Sequence, residues 1–407
     1  MSPKAFDLVI VGGGMVGTAL AASLSASPFA RHLRIALVEA GDLYARASPV
    51  SSEDSPVFSN RVASVTPASV RLLERVGAWQ RIPESRKKRF TQMKVWDASG
   101  NGSVGFSAPA THATSAIGHI VENDWIKQAL TESLGQNVTV FNGARVEDII
   151  SPDASDSHSN LPIVRLKDVD LQTRLLVGAD GLNSLARQYA GIESSGWDYP
   201  QKALVATLHL ASVEGIQNDV AYQRFLPDGP IAVLPLSASM SSLVWSTSPS
   251  NAAKLSQLSD KDFATFVDIA FRNPVEDLTY FLSLIQADGR LPRAIDLASE
   301  ASWGRERVGT MNASKIGLPP KNTSLPTVTS ILKGSRAGFP LRFYLSDRYV
   351  SEKRVALVGD AAHTIHPLAG QGLNLGLLDV ATLSKVIEEG VQAGADIGEN
   401  SLCNSNS

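Results

Sequence analysis

Cysteine is nearly missing from this chain. A single residue, Cys403, stands in a polar C-terminal stretch. That count excludes a disulfide framework, an internal thiol redox pair and a cysteine-based metal site. No apolar run reaches the eighteen residues of a membrane-spanning helix. Charge is sparse and balanced: 19% of residues are charged and the net charge is -3, which leaves no global field for nucleic acid. The N-terminus is short as well. Met1 to Phe6 leads straight into an apolar run, with no room for a signal peptide or an Arg-rich presequence. Either the protein stays where it is made or the sequence lacks its natural start. What remains is a 407-residue, 43% apolar chain, long enough for two or three cooperating domains.

Two segments carry chemistry-bearing patterns. Asp7 to Val11 reads as a buried strand, followed by Gly12-Gly13-Gly14-Met15-Val16-Gly17 and a helical run from Thr18 to Leu24. In such a strand–turn–helix, Gly12 makes the tight turn, Gly14 admits a pyrophosphate and Gly17 lets the helix approach the sheet. Arg34 to Val38 reads as the second strand and ends at Glu39. That carboxylate can accept bonds from an adenosine ribose and would repel a 2′-phosphate. The bland alternative is a glycine-rich turn of another α/β protein.

The second segment is Arg354 to Asn374, RVALVGDAAHTIHPLAGQGLN. Val355 to Val358 reads as a buried strand that delivers Asp360 to the sheet edge. His366 to Gly372 forms a glycine-rich turn, and a helix begins near Gly372, with Leu373, Leu377, Leu378, Ala381 and Val386 at helical spacing. Gly370 and Gly372 allow close backbone approach, and the helix start supplies free N–H groups. A polyol bonded to Asp360 and joined to a ring that carries negative charge suits this arrangement. A ribityl-isoalloxazine has both parts; an ordinary strand–turn–helix joint is the alternative. The two segments lie at opposite ends of the chain, so one long cofactor, FAD, explains why both return to one sheet.

Between them, Leu175 to Val177 reads as a strand ending in Gly178-Ala179-Asp180-Gly181, where Asp180 either holds a turn beside the cofactor groove or makes a simple Asx turn. Arg61 either contacts flavin or phosphate or pairs with a surface acid. Arg86 to Arg89 (RKKR) reads as a solvated turn, and Asn123 or Asp124 as the cap of a helix from Trp125 to Leu134. Ala203 to Leu210, Ala221 to Phe225, Ile231 to Leu236 and Ser242 to Thr247 predict an antiparallel sheet, and Asp260 to Phe271 and Val275 to Gln286 predict helices. Arg307 to Ser346 holds six Lys or Arg and no acid. That is either a docking surface for an anionic membrane or acidic protein, or a solvated loop. His363 and His366 are placed as structural or flavin-adjacent residues rather than as an acid–base pair, and no third ligand makes them a metal site.

These residues resemble a known family, the FAD-dependent aromatic hydroxylases. The segments that carry the resemblance are GGGMVG (Gly12 to Gly17), GADG (Gly178 to Gly181) and GDAAHTIHPLAGQGLNLGL (Gly359 to Leu377). AGQGLNLG is similar to the ubiquinone-biosynthesis branch, the UbiH/Coq6 family. Phe58 to Trp79, Met93 to Gly100, Ile120 to Ile126, Phe225 to Leu236 and Ser335 to Asp360 resemble its Coq6-type members. The similarity runs from Phe6 to Ile387.

The resemblance implies an α/β fold: a Rossmann-like FAD-binding domain with an inserted, mainly antiparallel substrate sheet. The expected organisation is residues 6–200 as the first part of the FAD-binding domain with internal substrate-side strands, 201–345 as mainly the substrate domain and basic loop, 346–397 as the returning FAD-binding strand and helix, and 398–407 as a polar tail. It implies FAD-dependent hydroxylation of a polyprenylated phenol in ubiquinone biosynthesis, at C5, through a flavin C4a-hydroperoxide. No protein nucleophile or metal is required. By resemblance, Gly12, Gly14 and Gly17 face the diphosphate and Glu39 the adenosine ribose; Arg61 lies near the cofactor and Asp180 supports the groove. Asp360 meets the ribityl–pyrophosphate region, and Pro367, Gly370, Gly372, Leu373 and Asn374 line the flavin ring. Implied partners are molecular oxygen, a ferredoxin with its reductase, a biosynthetic complex and the matrix face of the mitochondrial inner membrane, held peripherally. The competing expectations are a flavin oxidase or dehydrogenase for a small substrate, and a non-catalytic flavin-fold subunit of a complex. Family members continue beyond Ile387 with further helices, whereas this chain has a polar tail there. An exposed apolar patch on the helix near Gly372 is therefore expected.

Overall fold

In the computed structural model, residues 2–45, 57–109, 115–151, 161–211, 217–286, 288–292, 295–310 (backbone alone at 307–310), 317–320, 323–367 and 370–399 are described. The strand Lys4–Val11 is central to the first sheet because its Leu8-Val9-Ile10-Val11 run is apolar on both faces. It pairs in parallel with Asp170–Gly178 on one side and Ile35–Glu39 on the other. Val355–Leu357 and Val138–Asn142 extend the sheet in parallel beyond them. The two-residue period of a strand divides the core in two. Leu8 and Ile10 pack toward the glycine-loop helix Met15–Ala26 and the returning helix Gln371–Gln392. Val9 and Val11 pack on the opposite face toward Val146, Ile149 and the short helix Leu185–Ala190.

The second sheet has nine strands. Ser194–Leu210 is its longest strand, 17 residues, flanked by Ala337–Ser346 and Met240–Thr247. Gly229–Pro235, Val220–Leu226, Gln92–Asp97 and Ser103–Ser107 follow outward. Its pairings are antiparallel except that Val220–Leu226 runs parallel to Gln92–Asp97, a strand from the first quarter of the chain. Leu204, Leu243, Trp245 and Ile231 bury one face under the helices Pro249–Gln257, Asp260–Arg272 and Val275–Leu284. The other face looks toward the nucleotide-type sheet. A small sheet of Val62–Val65, Gly118–Glu122 and Lys87–Phe90 bridges the two parts. The fold is thus a Rossmann-like α/β core with an inserted mixed sheet.

Several expectations are corrected. Arg86 to Arg89 is no solvated turn: Arg86 and Lys87 are 2% and 8% exposed, and Lys87–Phe90 is a strand. Arg86 Nη1 lies 3.2 Å from Glu122 Oε2 with both side chains 1% exposed, and its guanidinium sits over the Phe58 ring. A buried carboxylate needs a counter-charge, and one basic residue of the four supplies it. The helix expected from Trp125 starts at Asn123, with Glu122 before it and no side-chain cap. The long strand begins at Ser194, ahead of the expected Ala203, because its polar first half lies on the exposed stretch before a register shift between Asp198 and Lys202. Within the basic stretch, Arg336 donates to Leu255 O and Leu258 O and pairs with Asp260, and Arg342 pairs with Asp198. Lys315 and Lys321 lie outside the described residues.

The end of the chain also differs. Asp396 accepts from Arg354 at 2.8 Å and from Arg174 at 3.3 Å, and Ile397 is 3% exposed, so this segment is docked on the core. Cys403 lies outside the described residues. The returning helix buries Leu377, Val380, Leu383 and Ile387 against the glycine-loop helix and its neighbours. Among the described residues, Leu378 is its one exposed large apolar side chain, so the expected patch is reduced to a single residue. Among the described residues no helix is long and apolar enough to cross a membrane.

Candidate active site

The glycine loop behaves as three distinct positions. Gly12 has φ +106°, and a Cβ there would lie 2.2 Å from Ala179 O. A Cβ on Gly17 would lie 2.0 Å from Gly12 O. Both glycines are required by the fold itself. A Cβ on Gly14 would meet nothing within 4 Å, so that position opens onto free space. Gly14 caps the helix Met15–Ala26, which has no side-chain cap and no acid in its first turn. Its free N–H groups and partial positive charge therefore face an opening that an anion fits.

Glu39 stands at the end of the second strand, beside this loop. Its Oε2 accepts from Gly13 N at 2.7 Å and its Oε1 from Gly41 N at 2.6 Å. The carboxylate thus also braces the loop, a role the strand-end position did not reveal. Among the described residues Asp180 makes no Asx turn; its carboxylate instead holds the start of the helix Leu185–Ala190. Oδ2 accepts from Leu185 N at 2.7 Å, while Oδ1 is buried with no partner. Such an orphaned acceptor is costly unless a ligand donor meets it. Arg187, which carried no role in the sequence reading, donates to Ala361 O and Leu182 O and clamps the two loops together.

The returning segment turns at Gly359, φ +60°. Asp360 projects into a cavity, and its carboxylate makes no hydrogen bond among the described residues. Crowding by the protein raises its pKa, against the pull of His363. His363 is 7% exposed and lies 2.6 Å from Asp379 Oδ2, which also accepts from Gly359 N at 2.9 Å. That bond to Asp379 holds the imidazole pKa above its usual value. His366 stacks edge-on with Tyr199, and burial lowers its pKa, so its neutral form is favoured.

Gly370, φ +64°, starts the returning helix without a side-chain cap, and a Cβ on Gly372 would meet nothing within 4 Å. Pro367 and Gly370 line the cavity, and Leu373 packs against the core. Asn374 is 2% exposed and saturated by the protein. Its Nδ2 donates to Ser64 O at 2.6 Å and Gly370 O at 3.0 Å; its Oδ1 accepts from Thr66 N at 3.0 Å and Ser69 Oγ at 2.7 Å. It bolts the helix start to the Ser64–Ser69 segment.

The cavity has a volume of about 670 Å³ and lies between the free face of the second sheet and the Asp360–Gly370 turn. Val205, Ala221, Ala232 and Val244 give it an apolar floor, while Arg61, Asn123, Gln223 and Ser246 are polar exceptions; the sequence patterns singled out Arg61 and, only as a helix cap, Asn123. Among the described residues no cluster of metal-ligating side chains exists. The open glycines, the two uncapped helix starts, the orphaned Asp180 oxygen and the free Asp360 carboxylate fit an extended dinucleotide with a polyol linker. The flat apolar floor opposite suits an aromatic ring held away from water.

Comparison with known proteins agrees with this geometry. A family profile described as an FAD binding domain matches residues 5–275 and 325–397. The chain is 40% identical over 402 residues to the mitochondrial ubiquinone biosynthesis monooxygenase COQ6 of Xenopus tropicalis, covering 97% of this chain and 80% of that protein. The protein of the same name from Homo sapiens is 39% identical over 399 residues, 97% of this chain and 79% of that one. Among solved structures, P. aeruginosa PqsL in complex with 2-aminobenzoylacetate superposes with TM-score 0.64 at 20% identity, covering 97% of this chain and 89% of that one. The p-nitrophenol 4-monooxygenase PnpA from Pseudomonas putida DLL-E4 gives TM-score 0.62 at 16% identity, covering 99% and 84%. These two similarities concern the fold alone.

Proposed function

The chain belongs to the UbiH/Coq6 family of FAD-dependent monooxygenases, and from that premise we propose that it hydroxylates the aromatic ring of a polyprenylated phenol in ubiquinone biosynthesis, at C5. The observation that carries this reading is the apolar slot facing the Asp360–Gly370 turn, with no nucleophile–base pair needed in it. Bound FAD supplies the oxygen activation. In this reading Gly12, Gly14 and Gly17 accommodate the diphosphate, Glu39 exchanges its loop amides for ribose hydroxyls, and Asp180 Oδ1 accepts a ligand hydrogen bond. Asp360 accepts from the ribityl chain, Arg61 lies against the cofactor, and Pro367, Gly370 and Gly372 form the wall against the flavin ring, with Leu373 and Asn374 fixing the helix start beneath it. The sheet face excludes water and holds the phenol ring flat.

The proposed organisation assigns 6–200 and 346–397 to FAD and 201–345 mainly to substrate, with strand Gln92–Asp97 lent to the substrate sheet. The mitochondrial names of the relatives support a mitochondrial location; to this we add, as a proposal, a peripheral place on the matrix side of the inner membrane, a ferredoxin and its reductase as electron source and a biosynthetic complex as setting. Purified protein, a prenylated phenol, candidate donors and oxygen-18 gas test the reading. One labelled oxygen atom in the ring is expected. Flavin reduction without label in the product, under every donor, overturns it.

A further inference from the structure

The cavity floor has a regular pattern across five strands. Gln223 pairs with Ala232, Ala232 with Val244, Val244 with Val205, and Val205 with Ala337. Residues in register share a face, so these five side chains form one row under the cavity, and all five line it. Four of the five are small and apolar; Gln223 is the exception.

Gln223 is 5% exposed, and its amide has no hydrogen-bond partner among the described residues. The residue is buried, but its amide is not among the buried side-chain polar atoms left without a partner, so its polar end reaches the cavity. Its neighbours in the row, Ala232 on one side and Val95 on the other, offer no polar atom. Its amide is therefore available to a group in the cavity. The two ends of the row differ in exposure, while between them Ala232 and Val244 are half-buried and Val205 is 7% exposed. Gln223 is 5% exposed, whereas at the other end Ala337 is exposed, and two residues further along the same strand face Phe339 is 41% exposed. The row crosses four strand spacings, or roughly 19 Å at about 4.8 Å each. That length takes a ring and the first part of a hydrocarbon chain.

We propose that Gln223 anchors the oxygen-bearing edge of the substrate ring at the buried end of the row, and that the apolar row from Ala232 to Ala337 carries the start of the prenyl chain out past Phe339. The inference rests on the functional reading above and adds to it a polarity: ring inward, chain outward. An amide both donates and accepts, so it holds a phenol in either protonation state. The head group is fixed by one hydrogen bond and the chain by surface burial.

The test uses the full chain with FAD bound and follows flavin absorbance during titration. Two probes are compared: a diprenylated phenol, and the same diprenyl chain on a benzene ring without the hydroxyl. Wild type is expected to bind the phenol about tenfold or more tightly than the deoxy compound, as sites built to hold a hydroxyl do. In Gln223→Leu the ratio should fall to near one, with deoxy binding undiminished. Gln223→Met, of the same length, repeats the comparison if Leu disturbs flavin content. Val244→Phe should weaken the diprenylated phenol about tenfold and spare phenol itself. An unchanged phenol-to-deoxy ratio in the Gln223 variants, with wild type still hydroxylating, overturns the anchor and leaves the functional reading standing. Val244→Phe with equal loss for both phenols overturns the chain path. Failure of wild type to bind any prenylated phenol overturns both the inference and the reading beneath it.

Discussion

His363 Nε2 lies 2.6 Å from Asp379 Oδ2, joining the turn that carries Asp360 to the third turn of the returning helix. The same Asp379 oxygen accepts from Gly359 N at 2.9 Å. One carboxylate thus fixes both ends of the Gly359–His363 turn, and with it the placement of Asp360.

This pair makes stability depend on pH. Its hydrogen bond to Asp379 raises the His363 pKa above 6.5 in the folded protein. A raised pKa means that the folded state holds the proton more tightly. The stabilisation is complete below about pH 6.5 and is lost as pH rises through the folded value. Asp379→Asn keeps an acceptor for Gly359 N but removes the charge, at a cost of about 1.5–3 kcal/mol. Thermal melting of both proteins should show the largest gap at about pH 6, narrowing toward about pH 9. A gap that stays constant with pH would show that no proton is linked to the pair.

Gly12 and Gly14 should fail in different ways. Gly12→Ala forces a Cβ to 2.2 Å from Ala179 O at φ +106°, and should cost about 3 kcal/mol or more in melting of the flavin-free protein. Gly14→Ala has open space and should change that melting by less than about 1 kcal/mol. Its effect should fall on FAD affinity, roughly tenfold or more by titration, about 1.4 kcal/mol. Equal FAD affinity in Gly14→Ala would remove Gly14 from the diphosphate site.

Asp360→Asn should separate binding from folding. The empty protein disfavours the Asp360 charge, because crowding raises the carboxyl pKa above 3.8. That charge lowers empty-protein stability as pH rises through the folded value. Flavin-free Asp360→Asn should therefore melt at or above wild type at neutral pH, while FAD affinity drops by about 1.5–3 kcal/mol. A lower melting temperature with unchanged flavin titration would assign Asp360 to the fold instead.

The Arg86–Glu122 pair should be costly to break on one side. Both side chains are 1% exposed. Glu122→Gln or Arg86→Met alone should cost about 3–5 kcal/mol in urea unfolding, because each leaves a buried charge uncompensated. The double variant should lose less than the sum by about 1–3 kcal/mol. Additive losses would mean that the two charges do not interact. Glu122 Oε1 also accepts from Ser59 N at 2.6 Å, so the single variants should loosen the Asn60–Arg61 wall of the cavity.

Much of the fold was legible because its signals are local. Gly17 is demanded by Gly12 O within the strand–turn–helix unit itself, Gly12 adds a positive φ to its close approach to Ala179 O, and Val355 to Leu357 is apolar without interruption. Less visible were residues whose roles depend on distant partners. Arg86 reads as one of four surface charges until Glu122, from another strand, is brought beside it. Asn374 stands in a glycine-rich setting that gives no sign that its side-chain amide bonds Ser64, Thr66 and Ser69, far earlier in the chain. Gln223 carries no local signal at all. Its significance comes from a row of apolar partners on neighbouring strands, which a linear pattern does not display.

The parallel strand Val355–Leu357 has one further consequence. It is hydrogen-bonded to Asp170–Gly178, which is bonded in turn to Lys4–Val11, and the helix that follows it packs on Met15–Ala26. During synthesis the glycine loop leaves the ribosome well before the strand and helix that complete its sheet. The early half of the chain must wait with its apolar sheet edge uncovered, which exposes it to chaperones and to misassembly. A sheet assembled from both ends of the sequence is thus complete only after the returning strand and helix have been made.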